Sequence, residues 1–311
     1  MILKAIADFL VSLEANGRSP RTIDTYEHRL LSFQRFMETV GIFDLEGIGP
    51  GDLDAWAASL RHVERKWTDH PYRQTEAGHL SEATIVGRIG AVKTWLAWCV
   101  DRGYLEVSPA RHLRRSQPRP SVRDKVIDPE DLRLMIEEAQ RRAVAGNPRD
   151  WALLAFMVDT ACRLGEVARL RLDHLDLERR EALICGKTGE RYVDFGETAA
   201  GALAAWLEAR PDVDHDVVFT SLNTGEPLTT DGIYHMLRRI AKAVGVEGRF
   251  NPQSIRHFMG QRFTDESNLE LARQKLGHRN IKTTANHYAH QDRERVKRAT
   301  QRLSFLNQEH G

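Results

Sequence analysis

Three residues within the stretch 251–290 have the side-chain chemistry to hold a phosphate and attack it: Arg256, His278 and Tyr288. A guanidinium is a planar, permanently charged fork of donors that matches phosphate oxygens. A histidine adds a further hydrogen bond. A tyrosine hydroxyl is a nucleophile only once ionised. With a pKa of about 10, roughly one phenol in a thousand is ionised at neutral pH, so a site that uses it must stabilise the phenolate and aim it at phosphorus. Short helices must bring the three together. Segments 254–263 and 269–276 carry apolar residues at helical spacing, and Gly277 stands where a helix stops. Thr283 and Thr284 then open another short helix that carries Tyr288.

The run Arg256-His257, then Leu276-Gly277-His278, then Thr283-Thr284 with Tyr288 four residues on, resembles the second conserved box of the tyrosine recombinases, the phage-integrase and Xer-type family. That resemblance implies an earlier arginine at a helix start. Thr160-Ala161-Cys162-Arg163-Leu164-Gly165-Glu166 resembles the family's first box, with Arg163 in that place. It also implies a lysine on a β-hairpin turn between the boxes, and Gly186-Lys187-Thr188-Gly189-Glu190-Arg191 fits it. The likeness runs from Arg18 nearly to the C-terminus, and it rests on the order of several motifs that are weak one by one.

The activity implied by the resemblance is DNA breakage and rejoining through a 3′-phosphotyrosyl intermediate, with strand exchange between paired sites. Arg163 and Arg256 would clamp the non-bridging phosphate oxygens, each worth about 3 kcal/mol or more of transition-state stabilisation by analogy with oxyanion-hole donors. His278 would add a phosphate hydrogen bond, Lys187 would protonate the leaving 5′-oxygen, and Glu166 would orient a basic partner. One phosphoester replaces another, so no metal or nucleotide cofactor is expected. Two positions depart from the family pattern. Gln253 stands three residues before Arg256, where histidine is usual, and an amide can hydrogen-bond but cannot take up a proton; His257 or water would then serve as base. Ala161 stands where glycine is common. Gln253 keeps a catalytically silent DNA-binding relative in play, and a nicking-closing enzyme of the type IB topoisomerase class is a second alternative.

Other chemistries fit less well. Gly186-Lys187-Thr188 mimics the end of a phosphate-binding loop, but Glu181 occupies the place of the required first glycine. His278, His287 and His290 have no acidic or cysteine partner at metal-ligand spacing.

The fold class expected is mainly α in two domains. Residues 1–113 read as an N-terminal helical core-binding (SAM-like) domain, 114–126 as a basic linker, and 127–311 as a mixed α+β catalytic domain with a small antiparallel sheet. Ser19-Pro20 starts a helix with Ile23, Tyr26, Leu30, Phe33 and Met37 on one stripe, and Asp52 opens a short helix through Trp56 and Leu60. Residues 61–79 read as a loop. Ser81 caps a helix with Ile85, Ile89, Val92, Leu96 and Cys99 inward, and its spacing makes Trp95 and Trp98 core residues rather than a base-stacking platform. Asp128-Pro129 starts the next helix, and 181–195 alternates enough for two strands around a glycine-containing turn.

With 311 residues, 41% hydrophobic and 29% charged, the chain reads as globular, without an apolar run of membrane-spanning length. The opening segment carries Asp8 and Glu14 and reads as a first helix rather than a leader. Three cysteines, with neither metal spacing nor an even-numbered framework, point to a reducing cytoplasm. The net charge of +1 gives no sign of a nucleic-acid partner; the distribution does. Basic residues crowd 111–125 and 273–302, while acids gather at 128–131 and 173–181, which suits either binding of DNA through one face or two solvated surfaces. The resemblance implies double-stranded DNA as partner, with Arg21, Thr22, Arg88 and Lys93 facing it, and a linker that puts Arg114 and Arg115 near the phosphates. It also implies a homo-oligomer, dimer to tetramer, assembled on DNA. The tail after Tyr288 carries Val296, Leu303 and Leu306 on one stripe, for a neighbouring protomer or for its own domain.

Overall fold

Apolar residues recurring every three or four positions produce most of the elements in the computed structural model, which describes residues 1–66, 76–114, 126–186, 189–246, 250–266 and 269–277. The chain divides into two compact units, Met1–Arg119 and Pro120–Gly311.

In the first unit, α1 (Ile2–Ala15), α2 (Pro20–Thr39), α3 (Pro50–Ser59) and α4 (Glu82–Asp101) turn their apolar stripes toward one core. Phe33 packs edge-to-face on Trp56 and on Trp95, with ring centroids 4.9 and 6.0 Å apart. Trp95 is fully buried, and its indole N–H donates to Ala5 O; Trp98 packs against the same core. Burial pushes the Cys99 thiol up to about 12.

The helix starts differ in detail from the sequence reading. Ser19 precedes Pro20 as expected, but its hydroxyl bonds Thr22 Oγ1 at 2.8 Å instead of a backbone amide. Asp52 lies inside α3 and reaches back to Gly49 N–H, so the helix begins at Pro50. Within 61–79, β1 (Arg65–Lys66) and β2 (Glu76–Ala77) form a two-residue antiparallel ladder. Two residue pairs are too short to leave an alternation that a sequence can display.

The second unit begins with α5 (Pro129–Val144), whose first turn is capped by Asp128 Oδ1 on Glu130 N–H. There follow α6 (Pro148–Thr160), the short α7 (Leu164–Val167), the strands β3 (Leu175–Asp176), β4 (Glu181–Gly186) and β5 (Gly189–Asp194), then α8 (Glu197–Ala209), α9 (Thr230–Ala243), α10 (Pro252–Glu266) and α11 (Leu269–Leu276). The sheet is antiparallel in the order β3-β4-β5. The strand β3, only two residues long, leaves no alternation in the sequence. Register pairs Ala182 with Val193, Ile184 with Arg191 and Gly186 with Gly189. Ala182, Ile184 and Val193 face the core, and the period of two places Arg191 on that same inward side. No helix among the described residues is long and apolar enough to cross a membrane.

Candidate active site

The site grows from the end of α6. Its last residue, Thr160, is buried, donates to Phe156 O and accepts Cys162 N–H. Ala161 then turns the chain with φ +51°, ψ 29°, a left-handed conformation that strains a residue with a Cβ by about 1–2 kcal/mol. The turn delivers Arg163 to the position before α7 in extended conformation. Glu166, one helical turn on, accepts the Arg163 backbone N–H at 2.8 Å and its Nη1 at 2.9 Å. The Arg163 side chain stays about one-third exposed (35%) while Glu166 is buried.

Glu166 has a second basic partner. Arg191, on the inward face of β5, donates Nη1 to Oε1 at 3.0 Å and Nη2 to Oε2 at 2.9 Å, the bidentate fork that suits a carboxylate. Burial opposes the Glu166 charge, but the bonds from the Arg191 guanidinium and the Arg163 amide outweigh it and hold the carboxyl at about 2. Burial likewise works against the charge on Arg191, and Glu166 outweighs it, so the guanidinium is held above its ordinary value. Two glycines make room for the pair. A Cβ on Gly186 would lie 2.9 Å from Glu166 Oε1, and one on Gly277 would lie 2.7 Å from Arg191 Nε. Gly277 also holds φ +61°, ending α11 as its place in the sequence predicts.

Arg256 joins the second box to the first. It is buried in α10 (4% exposed), with Nη1 on Ala161 O at 2.5 Å and Nη2 on Leu276 O at 2.5 Å. Both acceptors are carbonyls at helix C-termini, which lack intrahelical partners and carry partial negative charge. One guanidinium therefore pins the end of α6, two residues before Arg163, to the end of α11, two residues before His278. Lys275 adds a tie from α11 to β5 through Asp194 O at 2.9 Å and lies 6.0 Å over the Phe263 ring; burial lowers its pKa. Gln253 is exposed in the first turn of α10, where its N–H donates to Asn251 Oδ1, and His257 is partly buried beside Arg256.

Residues 125–295 match the phage integrase family, and residues 6–103 match the phage integrase N-terminal SAM-like domain. The chain belongs to the phage integrase family. Tyrosine recombinase XerC of Serratia marcescens is 27% identical over 278 residues, covering 88% of this chain and 85% of the relative. Among solved structures, the Tn1549 transposon integrase in complex with transposon right-end DNA has a TM-score of 0.75 at 18% identity, with 97% of this chain and 99% of that chain covered. A lambda integrase tetramer bound to a Holliday junction has a TM-score of 0.66 at 14% identity, covering 93% and 77%. These two structures share the fold.

In this integrase-family chain, Arg163, Glu166 and Arg256 are thus drawn to one turn. Lys187, His278 and Tyr288 lie outside the described residues, as does Arg115. In the first unit Arg21 and Arg114 are exposed. Thr22 is engaged with Ser19. Arg88 is partly buried and donates to Ser32 Oγ; burial, then Arg29 and Arg35, lowers its pKa. Lys93 donates to Leu113 O at 2.6 Å, tying α4 to the segment that leaves the unit.

Arg191 is the residue that sequence reasoning noted only as part of a motif. A signal was there: Arg191, Val193 and Phe195 alternate, and an arginine on the apolar side of a strand needs a carboxylate. Which carboxylate answers it is a tertiary matter.

Proposed function

We propose that this phage integrase family member is a DNA strand transferase that breaks and rejoins duplex DNA at specific sites through a 3′-phosphotyrosyl link to Tyr288. The observation that carries the reading is the bond from Arg256 to Ala161 O, two residues from Arg163, which gathers the two box arginines at one place. The family match and the relative named tyrosine recombinase XerC support it.

The Tyr288 phenol gives its proton to His257 or water, its oxygen attacks phosphorus, and the bond from phosphorus to the 5′-oxygen breaks. Lys187 gives the departing oxygen its proton. Arg163 and Arg256 stabilise the charge on the non-bridging oxygens during the transfer, with His278 as a further donor. A 5′-hydroxyl from another strand then attacks the phosphotyrosine and returns the phenol. The number of phosphoester bonds is unchanged, so the exchange is reversible. Double-stranded DNA is the substrate, and the working form is a homo-oligomer assembled on it. The complexes named for the two structural neighbours, one with transposon-end DNA and one a tetramer on a Holliday junction, support that assembly.

The test is covalent capture. The full chain is mixed with nicked duplexes whose bases around the nick are randomised, SDS-stable protein–DNA adducts are recovered, and the DNA is amplified over several rounds. Wild type is expected to enrich a family of sequences, and Tyr288→Phe to give no adduct on them. Sequence-specific binding without any SDS-stable adduct would instead identify a silent DNA-binding relative.

A further inference from the structure

Arg191 has no part in the transfer just described, yet it is bonded directly to the carboxylate that holds Arg163. Its guanidinium engages both oxygens of Glu166, approaches Cys162 Sγ at 3.8 Å, and lies against the Gly277 backbone. Glu166 in turn holds Arg163 by both its backbone N–H and its Nη1. We propose that Arg191 is a positioning residue that clamps and neutralises Glu166, so that the charge of Arg163 remains available to a phosphate and Gly277 is held against the first box. The inference rests on the reading that Arg163 grips the scissile phosphate.

The charges give the reason. Arg163 and Glu166 alone form a neutral pair, in which a buried carboxylate would hold the very guanidinium that must meet an anion. The Arg191 charge satisfies Glu166 from the inward side and leaves the trio at +1. Geometry gives a second reason. Lysine could supply the charge, but a point charge cannot engage both carboxylate oxygens in one plane. Steric room for the clamp exists only because Gly186 and Gly277 lack a Cβ. The end of β4 at Gly186, the turn that carries Arg163 and the end of α11 at Gly277 are thereby referred to one pair of side chains.

Charge rescue tests this. Adduct formation on the captured duplex is timed for wild type, Arg191→Lys, Arg191→Gln, Glu166→Gln and Arg191→Gln/Glu166→Gln, with duplex affinity measured alongside. Arg191→Gln is expected to slow cleavage on the order of ten- to a hundredfold, by analogy with partners that orient metal-ligating residues. Arg191→Lys is expected to fall in between. The double variant, which restores a net charge of +1 at Arg163, is expected to regain about tenfold over Arg191→Gln. A merely structural Arg191 predicts no rescue, because the double variant removes still more of the packing. Wild-type cleavage by Arg191→Gln, or a double variant no faster than it, overturns the proposal. Should Arg191→Gln not fold, Arg191→Lys carries the test: slower cleavage than wild type at an unchanged melting temperature upholds the proposal, and wild-type cleavage overturns it. A wild type that forms no adduct on any enriched duplex defeats the strand-transferase reading itself, which is a different result from unimpaired cleavage by Arg191→Gln.

Discussion

Arg256 Nη1 and the carbonyl oxygen of Ala161 meet at 2.5 Å across 95 positions of sequence. Ala161 itself adopts the left-handed conformation, φ +51°, so the strain of the turn and the fixing of the arginine meet at one residue.

Replacing Ala161 with glycine should remove that strain. The gain is offset in part by the greater freedom of glycine in the unfolded chain, so a net rise of about 0.5–1 kcal/mol is expected. Ala161→Val, which adds β-branching at positive φ, should lose about 2 kcal/mol. Urea unfolding midpoints check both, and a destabilised Ala161→Gly would show that the turn is not strained.

Stability should carry the Glu166 signature in acid. Its folded pKa, about 2, lies below the ordinary 4.5, so its contribution is complete above pH 4.5 and fades as pH falls toward 2. That contribution is on the order of 3 kcal/mol by linkage. Wild type should exceed Glu166→Gln by a constant margin from pH 8 to 5, and the margin should shrink below 4.5. A margin that grows with acid would contradict the burial and pairing described.

The glycines separate strain from crowding. Gly189 holds φ +107° with nothing near an added Cβ, whereas Gly277 holds φ +61° with Arg191 Nε 2.7 Å away. Alanine at 189 should cost about 1 kcal/mol of backbone strain. At 277 it should cost more, about 2–3 kcal/mol, since a packed guanidinium must also move. Thermal melts of the two variants, side by side, give the comparison.

Gln253 is exposed, so a histidine fits there without repacking. Gln253→His should speed adduct formation about tenfold or more by supplying a group able to take the Tyr288 proton. A rate unchanged between pH 6 and 8 would mean that proton removal from the phenol is not limiting.

Arg88 sits with Arg29 and Arg35, and burial together with those like charges lowers its pKa. Arg88→Gln should leave the free protein as stable or slightly more so, within about 0.5 kcal/mol, while weakening duplex binding and lowering the salt slope by about one. Lys93→Met should instead destabilise the protein, as it loses the bond to Leu113 O. An Arg88→Gln variant that binds DNA with unchanged affinity and slope would place that cluster off the interface.

The amino-acid sequence by itself offered the candidate reactive residues and their order along the chain, and it marked most of the helices. Apolar spacing marked α2, α4, α10 and α11, because helical periodicity is local and each stripe is written within one segment. Gly277 at a helix end was legible for the same reason, as backbone caps depend on near neighbours, whereas Arg163 at a helix start was legible through the family resemblance. Only the tertiary structure decided what answers each buried charge. Glu166 is neutralised from a strand 25 residues away, and Arg256 donates to two helix ends that lie 95 and 20 positions from it. A buried ion needs a partner of opposite sign within a few ångströms, and the packing of distant segments, not the order of residues, selects which one arrives.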